Sequence, residues 1–536
     1  MQPGLKTTKR RQKFFDTFKG LCLRPVTPEG YFKDAQNTSS DGYPTIMPRR
    51  KRGIITECGD VYAMYDHSKV VWLWENVLFY GETQVGELSA GEKMFASLGA
   101  NIVIYPDKML FNTDTMTLTS LENEVKCQGV SVFSSNQDAS SALSTNYTCL
   151  SAPGIGAGFR EGDGVSVSGL SGVMPDGDYL IQTVFEDKIV VIQALDAGGV
   201  IEGEVSVKRT APDLDYICAL DNRIWGCSSK DHRVCACKLG DPTNWNVFQG
   251  ISTDAYQAVT PSAGAFTGLT SDLGSVVFFK EEEIIRLFGN KPSNFQLTSY
   301  KMPGVEEGSE KSIAYIESAL FYKGLSGIYV YDGGIPECIS ASLGAKKYSS
   351  ARAGAVNGKY FVSMLDEEAG KESLFVYDTR TGAWHRESAP GIEFFFRRGN
   401  EMYFKGNDDK MYTVNGGKIW YDTKKVVSSR LSFTEQSVAW YFETGPMSLC
   451  MPGRQYVTNL HVRYSMKADA KFTLEIKFQE EKTYRLVGEY ASGTGEGTIT
   501  LPVPVRRTDS ASLRFSGTGE CTIIAIGKTF TEGSFY

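Results

Sequence analysis

The 536-residue chain has no long hydrophobic segment. No run of about 18 or more apolar residues occurs, so the sequence predicts no transmembrane helix. Residues 1–6 (Met-Gln-Pro-Gly-Leu-Lys) are polar and basic and include no apolar stretch, so we expect no secretory signal there. The 11 cysteines are odd in number and follow no framework spacing, which favours free thiols and a reducing compartment.

Residues that build metal centres are scarce or scattered. The four histidines lie far apart in the sequence, at His67, His232, His385 and His461. None has the near-neighbour ligands of a zincin or a zinc finger. Cys227, Cys235 and Cys237 resemble a loose metal cluster, but Cys-x-Cys on a strand places both side chains on one face, which ordinary packing explains as well. We therefore predict no metal and no cofactor.

Catalytic motifs are also missing. Gly154–Gly158 is glycine-rich, but no strand–helix unit surrounds it, so we interpret it as a linker rather than a phosphate loop. Glu281–Glu283 and Asp366–Glu368 are carboxylate runs at predicted hairpin turns. Paired carboxylates do serve glycosidases, yet the Asp-box pattern of sialidase-type propellers is absent. We expect no enzyme, with a glycan-hydrolysing propeller as the alternative.

What the sequence does contain is a recurring aromatic hairpin. Leu374–Glu387 combines an alternating strand, the turn Asp378–Gly382 and Trp384, which opens the returning strand. Gly382 is able to take the positive φ that such a turn needs. Weaker versions of this hairpin recur every 40–60 residues or so, which is the spacing of propeller blades. The sequence predicts an all-β chain with a six- or seven-bladed β-propeller, an inserted small β-barrel-like domain and a C-terminal β-sandwich.

The predicted domains follow changes in composition. They are an extended basic N-terminal arm (1–53), the first propeller blades (54–112), an inserted small β domain (113–210), the remaining blades (211–426) and the C-terminal sandwich (427–536). Within the arm, the sequence predicts a short helix from Lys9 to Lys19. The following stretch is rich in proline and glycine and reads as extended, with Tyr31, Phe32 and Tyr43 tying it down. Residues 113–153 are polar and show little strand signal.

Charge is distributed unevenly along the chain. Residues 1–52 hold twelve Lys/Arg against four Asp/Glu, whereas the remainder holds 44 against 59. A basic arm on an acidic body suggests that the arm meets an acidic surface or nucleic acid, although a solvated extension would look the same. The candidate assembly residues are the basic residues of the arm: Arg10, Arg11, Lys13, Arg49, Arg50, Lys51 and Arg52.

Several motifs together resemble a known group of proteins. They are the arm run from Pro28 to Gly53, Gly162–Gly169, Pro212–Cys218, Asn222–Cys227, Lys238–Phe248, Phe278–Glu281, Lys291–Phe295 and Gly333–Pro336. This combination, spread over nearly the whole chain, resembles bacteriophage and prophage virion stabilisation proteins. Those proteins are similar to the tail hub or nozzle β-propellers of short-tailed phages.

The resemblance implies a structural role. The family builds a ring, commonly sixfold, below the portal and adaptor, and keeps packaged DNA from leaking. It implies self-association, contacts with other tail proteins, non-specific contact with DNA, and a location in the virion tail after assembly in the host cytoplasm. It offers no catalytic residue. Two alternatives remain: a virion-associated glycan hydrolase that uses Asp366 and Glu367, and a receptor- or glycan-binding protein with the C-terminal sandwich as reader.

Overall fold

The computed structural model describes most of the chain. The described residues are 10–55, 58–134, 146–170, 172–195, 197–271, 274–414, 432–451, 455–491, 495–503 and 509–532. They divide into two compact units, residues 1–60 with 306–536, and residues 61–305. Regular structure in this part of the chain is strand, apart from short 3₁₀ turns at Pro292–Asn294, Glu310–Ser312 and Ala341–Leu343. Among these residues no helix is long and apolar enough to cross a membrane.

The N-terminal arm is extended and contains short strands, the last of which ends two residues beyond the predicted boundary at residue 53 and is counted with the arm below. These are β1 (Arg10–Phe15), β2 (Phe32–Gln36), β3 (Thr38–Ser39), β4 (Met47–Pro48) and β5 (Gly53–Ile55). The predicted helix from Lys9 to Lys19 is therefore wrong over Arg10–Phe15. Arg, Gln and Lys favour a helix locally, but pairing with a distant strand outweighs that weak preference.

The unit of residues 61–305 begins with two antiparallel four-stranded sheets, in which the strands follow one another in chain order. The first comprises β6 (Val61–Asp66), β7 (Val70–Trp74), β8 (Val77–Tyr80) and β9 (Thr83–Glu87). The second comprises β10 (Met94–Leu98), β11 (Asn101–Tyr105), β12 (Met109–Asn112) and β13 (Thr117–Ser120). Val71 of the first sheet and Ile102 of the second belong to one buried core.

The inserted β domain is an eight-stranded antiparallel sheet, ordered β14-β21-β17-β18-β19-β16-β15-β20. Its strands are β14 (Asn123–Cys127), β15 (Val130–Ser134), β16 (Tyr147–Ser151), β17 (Gly164–Ser168), β18 (Gly177–Phe185), β19 (Lys188–Ile192), β20 (Gly199–Ile201) and β21 (Val205–Arg209). Val125 from one end of this order and Ile201 from the other pack into one core. Residues 113–153 thus hold four strands despite their polar sequence, because hydrogen bonds to neighbouring strands satisfy the backbone.

Two further four-stranded sheets complete this unit. They are β22 (Tyr216–Leu220), β23 (Arg223–Ser228), β24 (Arg233–Ala236) and β25 (Tyr256–Val259), then β26 (Gly268–Thr270), β27 (Val276–Lys280), β28 (Glu283–Phe288) and β29 (Gln296–Lys301). Trp225 and Phe278 share a core between these two sheets. Packing of successive four-stranded meanders face against face is the construction of propeller blades.

The other unit holds three more sheets of this kind. Their strands are β30 (Ala314–Ile316), β31 (Ala319–Gly324), β32 (Gly327–Tyr331) and β33 (Glu337–Cys338); β34 (Tyr348–Val356), β35 (Lys359–Asp366), β36 (Lys371–Asp378) and β37 (Ala383–Glu387); and β38 (Ile392–Arg398), β39 (Glu401–Gly406), β40 (Met411–Thr413) and β41 (Ser432–Thr434). In the last sheet β5 of the arm inserts between β40 and β41. The predicted hairpin of Leu374–Glu387 is confirmed: Trp384 is buried, and Gly382 has a φ of +68°.

The C-terminal strands form two sheets that share one core. Their strands are β42 (Ala439–Thr444), β43 (Met447–Ser448), β44 (Cys450–Met451), β45 (Gln455–Met466), β46 (Lys471–Phe478), β47 (Arg485–Ala491), β48 (Gly495–Pro502), β49 (Ser510–Thr518) and β50 (Cys521–Glu532). One sheet runs β1-β50-β45-β44, with β48 also paired to β45, and the other runs β2-β42-β49-β46-β47, with β43 also paired to β49. Leu460 of the first and Phe515 of the second are completely buried in this core. The predicted fold class, an all-β propeller with an inserted β domain and a C-terminal β-sandwich, is confirmed.

Candidate functional site

The N-terminal arm, the one segment that the sequence singles out, is built into three sheets of its unit. Strand β1 pairs antiparallel with β50, from Arg10 opposite Thr531 to Phe15 opposite Ile526. Strand β2 pairs antiparallel with β42, and its Phe32 packs against Phe442 in a tilted arrangement, with 4.5 Å between ring centroids. Both sheets of the sandwich therefore take an edge strand from the arm.

The third insertion lies at the end of the arm. Ile54 and Ile55 pair with Tyr412 and Met411 of β40, so β5 supplies the fourth strand of the last blade. The amide of Gly53 donates a hydrogen bond of 2.7 Å to the Thr413 hydroxyl. The last blade is therefore completed by a strand that lies more than 350 residues earlier in the chain. The blade can come apart only if the pairing of β5 with β40 is lost.

Two arginines of the arm form a buried ionic cluster just before β5. Arg49 donates two hydrogen bonds to the carboxylate of Glu435, at 2.7 and 3.0 Å. Arg52 donates to Glu387 at 2.5 Å and to the carbonyl of Ser388 at 2.6 Å. The guanidinium carbon of Arg52 lies 5.0 Å from the ring centroid of Phe404. Two buried arginines are thus neutralised by the buried Glu387 and the part-buried Glu435.

Burial and charge shape the titration of this cluster. Burial lowers the pKa of Arg52, against the opposing effect of the Glu387 charge. Burial acts to raise the pKa of Glu435, but the hydrogen bonds and charge of Arg49 outweigh it, so that the pKa lies below its usual value. Glu435 is therefore ionised at neutral pH, and its side-chain partner is Arg49, whereas the Arg52 guanidinium pairs with Glu387.

A second anchor joins the arm to the hairpin of β36 and β37. Ser40 donates a hydrogen bond of 2.6 Å to the fully buried Asp378, whose carboxylate also accepts from the Arg380 side chain at 2.8 and 3.1 Å. Next to it, Thr38 contacts Nδ1 of His385 at 3.2 Å. Burial, with a smaller contribution from the Lys359 charge, lowers the pKa of His385 to about 3, so this ring is neutral.

The arm also contacts β37 through its backbone. The amide of Leu21 donates to the Trp384 carbonyl at 2.7 Å, and Gly20 lies so close that an added Cβ would come within 2.5 Å of the same oxygen. The side-chain oxygen of Asn37 accepts hydrogen bonds from Arg49 at 3.0 Å and from the amide of Ser388 at 2.8 Å. The arm is thus fixed along most of its described length.

The seven candidate assembly residues fall into two groups. Arg49 and Arg52 are buried in the ionic cluster. The other five are exposed: Arg10, Arg11 and Lys13 on β1, and Arg50 and Lys51 before β5. Arg50 pairs with Asp41 at 3.1 Å, yet its side chain is 66% exposed. Arg49 and Arg52 therefore stabilise the fold from inside, and the other five form an exposed basic surface. Assembly through that surface stays a prediction.

The other residues considered from sequence have structural contacts. Both ring nitrogens of His67 and of His461 lie within hydrogen-bond distance of hydroxyl or carbonyl oxygens. Cys227, Cys235 and Cys237 are buried free thiols. Within the described ranges no group of three or more His, Cys, Asp or Glu residues could hold a metal. Asp366 caps its turn by accepting from the amides of Glu368 and Ala369, both at 3.1 Å.

Sequence reasoning missed the acidic partners of the arm. Glu387 is the last residue of the recognised hairpin Leu374–Glu387, and Glu435 lies beyond the last blade, so neither is near the arginines in sequence. The available signal was a run of four basic residues, Arg49–Arg52, separated by one glycine from the apolar pair Ile54–Ile55. A basic run that enters a buried strand needs buried carboxylates to neutralise it.

Comparisons with known proteins find similar solved structures at low sequence identity. No protein-family model matches the chain, and no curated protein sequence does. Solved structures similar to the chain include BamB from Moraxella catarrhalis, at 10% identity and a TM-score of 0.35, over 67% of this chain and 95% of that one. They also include Hsv2 from Kluyvelomyces marxianus (9%, TM-score 0.26, 68% and 99%). An exo-beta-1,3-galactanase from Phanerochaete chrysosporium with galactose is similar at 8% identity and a TM-score of 0.22, over 58% and 94%.

Proposed function

We propose that this protein is a non-enzymatic structural subunit of a bacteriophage tail. In this role it is a hub or nozzle component that forms a ring of copies, sixfold as in the group that the sequence resembles. The ring lies below the portal and adaptor, closes the DNA channel and stabilises packaged DNA. The subunit is made in the bacterial cytoplasm and acts in the virion.

One observation carries the structural side of this proposal: the N-terminal arm interlocks with both sandwich sheets and with the last blade. Strands β1, β2 and β5 pair with partners more than 350 residues away, and Arg49 and Arg52 are neutralised inside the same unit. Releasing the arm requires loss of these pairings together with exposure of buried charges. Such cooperative locking suits a part that must hold against the pressure of packaged DNA.

The exposed basic residues of the arm supply a surface for assembly. Arg10, Lys13, Arg50 and Lys51 face solvent, whereas the chain after residue 52 carries 44 basic against 59 acidic residues. A closed ring needs two different, complementary faces on each subunit. Opposite charges on those faces would guide association and set its register.

Sedimentation velocity on the purified protein tests this assignment. The test variant reverses Arg10, Lys13, Arg50 and Lys51 to Glu, and the control is Lys471→Glu, at an exposed position of β46. We expect the wild type and the control to sediment as a ring-sized oligomer, and the reversed variant to sediment as a smaller species with unchanged melting temperature. An oligomer unaffected by the four reversals would remove the basic surface from the proposal.

A further inference from the structure

The sandwich sheet that takes up β1 carries a cleft of about 540 Å³ on its outer face. Its lining comes from β1 on one side and from β45 and β48 on the other. The side chains that matter here are Gln12, Phe14, His461, Arg463, Glu496 and Thr498. Small-molecule sites in proteins commonly have volumes of about 300–1,000 Å³.

An exposed aromatic ring forms one wall of the cleft. In the sheet register Phe14 lies opposite Gly527, which lies opposite His461. Any side chain at position 527 would overlap the Phe14 ring, so glycine is what allows that ring to lie across the sheet. The ring remains 51% exposed, and its centroid is 6.3 Å from that of His461. A large apolar face is therefore presented to solvent from an edge strand of the sheet.

His461 is held in a fixed orientation beside this ring. Its Nδ1 lies 3.0 Å from the Thr500 hydroxyl, and its Nε2 lies 2.7 Å from the Thr529 hydroxyl. These threonines belong to the two strands that flank β45. Because both ring nitrogens are engaged, the imidazole cannot rotate freely, and this wall of the cleft is preorganised.

Further along the same strands, a cation and an anion lie side by side. Arg463 donates to Glu496 at 2.7 Å, and the two side chains are 57% and 59% exposed. An ion pair this exposed contributes little to stability. It does offer hydrogen-bond donors and acceptors next to each other at the edge of the cleft.

We propose that this cleft binds an oligosaccharide. A sugar ring has an apolar C–H face that packs on an aromatic ring, and each of its hydroxyls both donates and accepts hydrogen bonds. Phe14 supplies the platform, while Arg463 and Glu496 supply the donors and acceptors. A nucleic acid fits less well, because the Glu496 carboxylate would lie close to its phosphates. The proposal goes beyond the structural role and does not depend on it.

The experiment uses the full-length protein and defined probes. Isothermal titration would be run with chitohexaose, maltoheptaose and laminarihexaose, and with single-stranded dT20 as a competing class of ligand. The variants are Phe14→Ala on β1 and the double variant Arg463→Met, Glu496→Gln on β45 and β48. The control is Leu486→Ala, which removes an exposed apolar side chain, 61% accessible, from the other sandwich sheet.

We expect at least one oligosaccharide to bind, and each test variant to weaken that binding by about tenfold or more, the amount that loss of one aromatic contact or of two hydrogen bonds produces. The control should bind as the wild type does. The double variant leaves β1 untouched, so loss of binding there is not explained by loosening of that strand.

Three results would overturn the site: no oligosaccharide binds, the variants bind as well as the wild type, or only dT20 binds in a Phe14-dependent way. Sedimentation of the same variants separates this question from the proposed function. The oligomer should persist in variants that no longer bind the oligosaccharide. If the protein is monomeric and still binds it, the ring is rejected and the oligosaccharide site is supported.

Discussion

Arg49 of the N-terminal arm and Glu435, 386 residues later, form a two-point ion pair with N–O distances of 2.7 and 3.0 Å. The same carboxylate accepts a hydrogen bond of 2.9 Å from the backbone amide of Arg52. One side chain beyond the last blade thus holds the arm at the point where β5 begins. The proposed structural role rests on contacts of this kind, which join the arm to distant parts of its unit.

Glu435→Gln should destabilise the protein strongly. The amide keeps the shape of the side chain but leaves the buried Arg49 without its main counter-charge. Arg49 is 6% exposed and Glu435 21%, and removing the partner of a buried charge costs about 3 kcal/mol. Urea unfolding followed by tryptophan fluorescence measures the loss. The matched control is Arg50→Ala, which breaks an exposed pair with Asp41 and should cost no more than about 1 kcal/mol. Equal losses of unfolding free energy for the two variants would show that the ionic cluster does not hold the arm in place.

His385 should make the protein acid-sensitive before the carboxylates do. Its pKa is about 3 in the folded protein, against 6.5 for the free side chain. Between these values the unfolded chain binds one more proton, so stability falls as pH falls, at up to about 1.4 kcal/mol per pH unit. The charged groups that face it are Lys359, Asp378 and Asp41.

Urea midpoints at pH 7, 6 and 5 test this dependence. In this window the lowered pKa values of Asp378 and Glu435 contribute little, because stability held by those groups is lost only at more acid pH. The wild type should lose stability from pH 7 to 5, and His385→Gln should lose markedly less. Parallel slopes for the two proteins would contradict the buried, neutral histidine.

Gly20→Ala should weaken the attachment of the arm to β37. The residue has a φ of +79°, and the new Cβ would come within 2.5 Å of the Trp384 carbonyl oxygen. The matched control is Gly30→Ala in the same arm, where φ is +91° but the nearest atom, the Thr17 carbonyl oxygen, is 3.5 Å away. Both substitutions strain the backbone by about 1 kcal/mol or more, and only the first adds a steric clash.

Limited proteolysis followed by mass spectrometry reads out this difference. We expect faster cleavage within residues 16–31 in the Gly20 variant than in the Gly30 control. If the two variants are cleaved at the same rate, the close approach to Trp384 does not hold the arm.

Local patterns and distant pairings differ in how well the sequence predicts them. The hairpin of Leu374–Glu387 was predictable, because its turn residues and its buried Trp384 lie within 14 consecutive positions. Strand β1 was not, because Arg10–Phe15 has no alternating pattern and becomes a strand only by pairing with β50. The candidate site divides in the same way: the basic residues of the arm were found, but not which of them are buried, since Glu387 and Glu435 become their neighbours only in the fold.

The interlocking also changes the expected result of a deletion. Removing residues 427–536 would take away β42 and β50, the partners of β2 and β1, and would expose Phe18 and Phe32. We expect the truncated chain to aggregate or to bind a hydrophobic dye, in contrast to a soluble propeller that lacks only a peripheral module. Size-exclusion chromatography of the truncated and the full-length protein shows whether the truncated chain aggregates. A soluble, monodisperse truncation would mean that the sandwich is independent of the arm.

The most direct test of the structural role is cryo-electron microscopy of the purified full-length protein, without added partners. The account predicts a closed ring, sixfold if the resemblance holds, with a central lumen wide enough for duplex DNA. Added salt should dissociate the ring, because salt screens the charges of the exposed basic residues of the arm. Particles that remain monomeric at every concentration and ionic strength would contradict it.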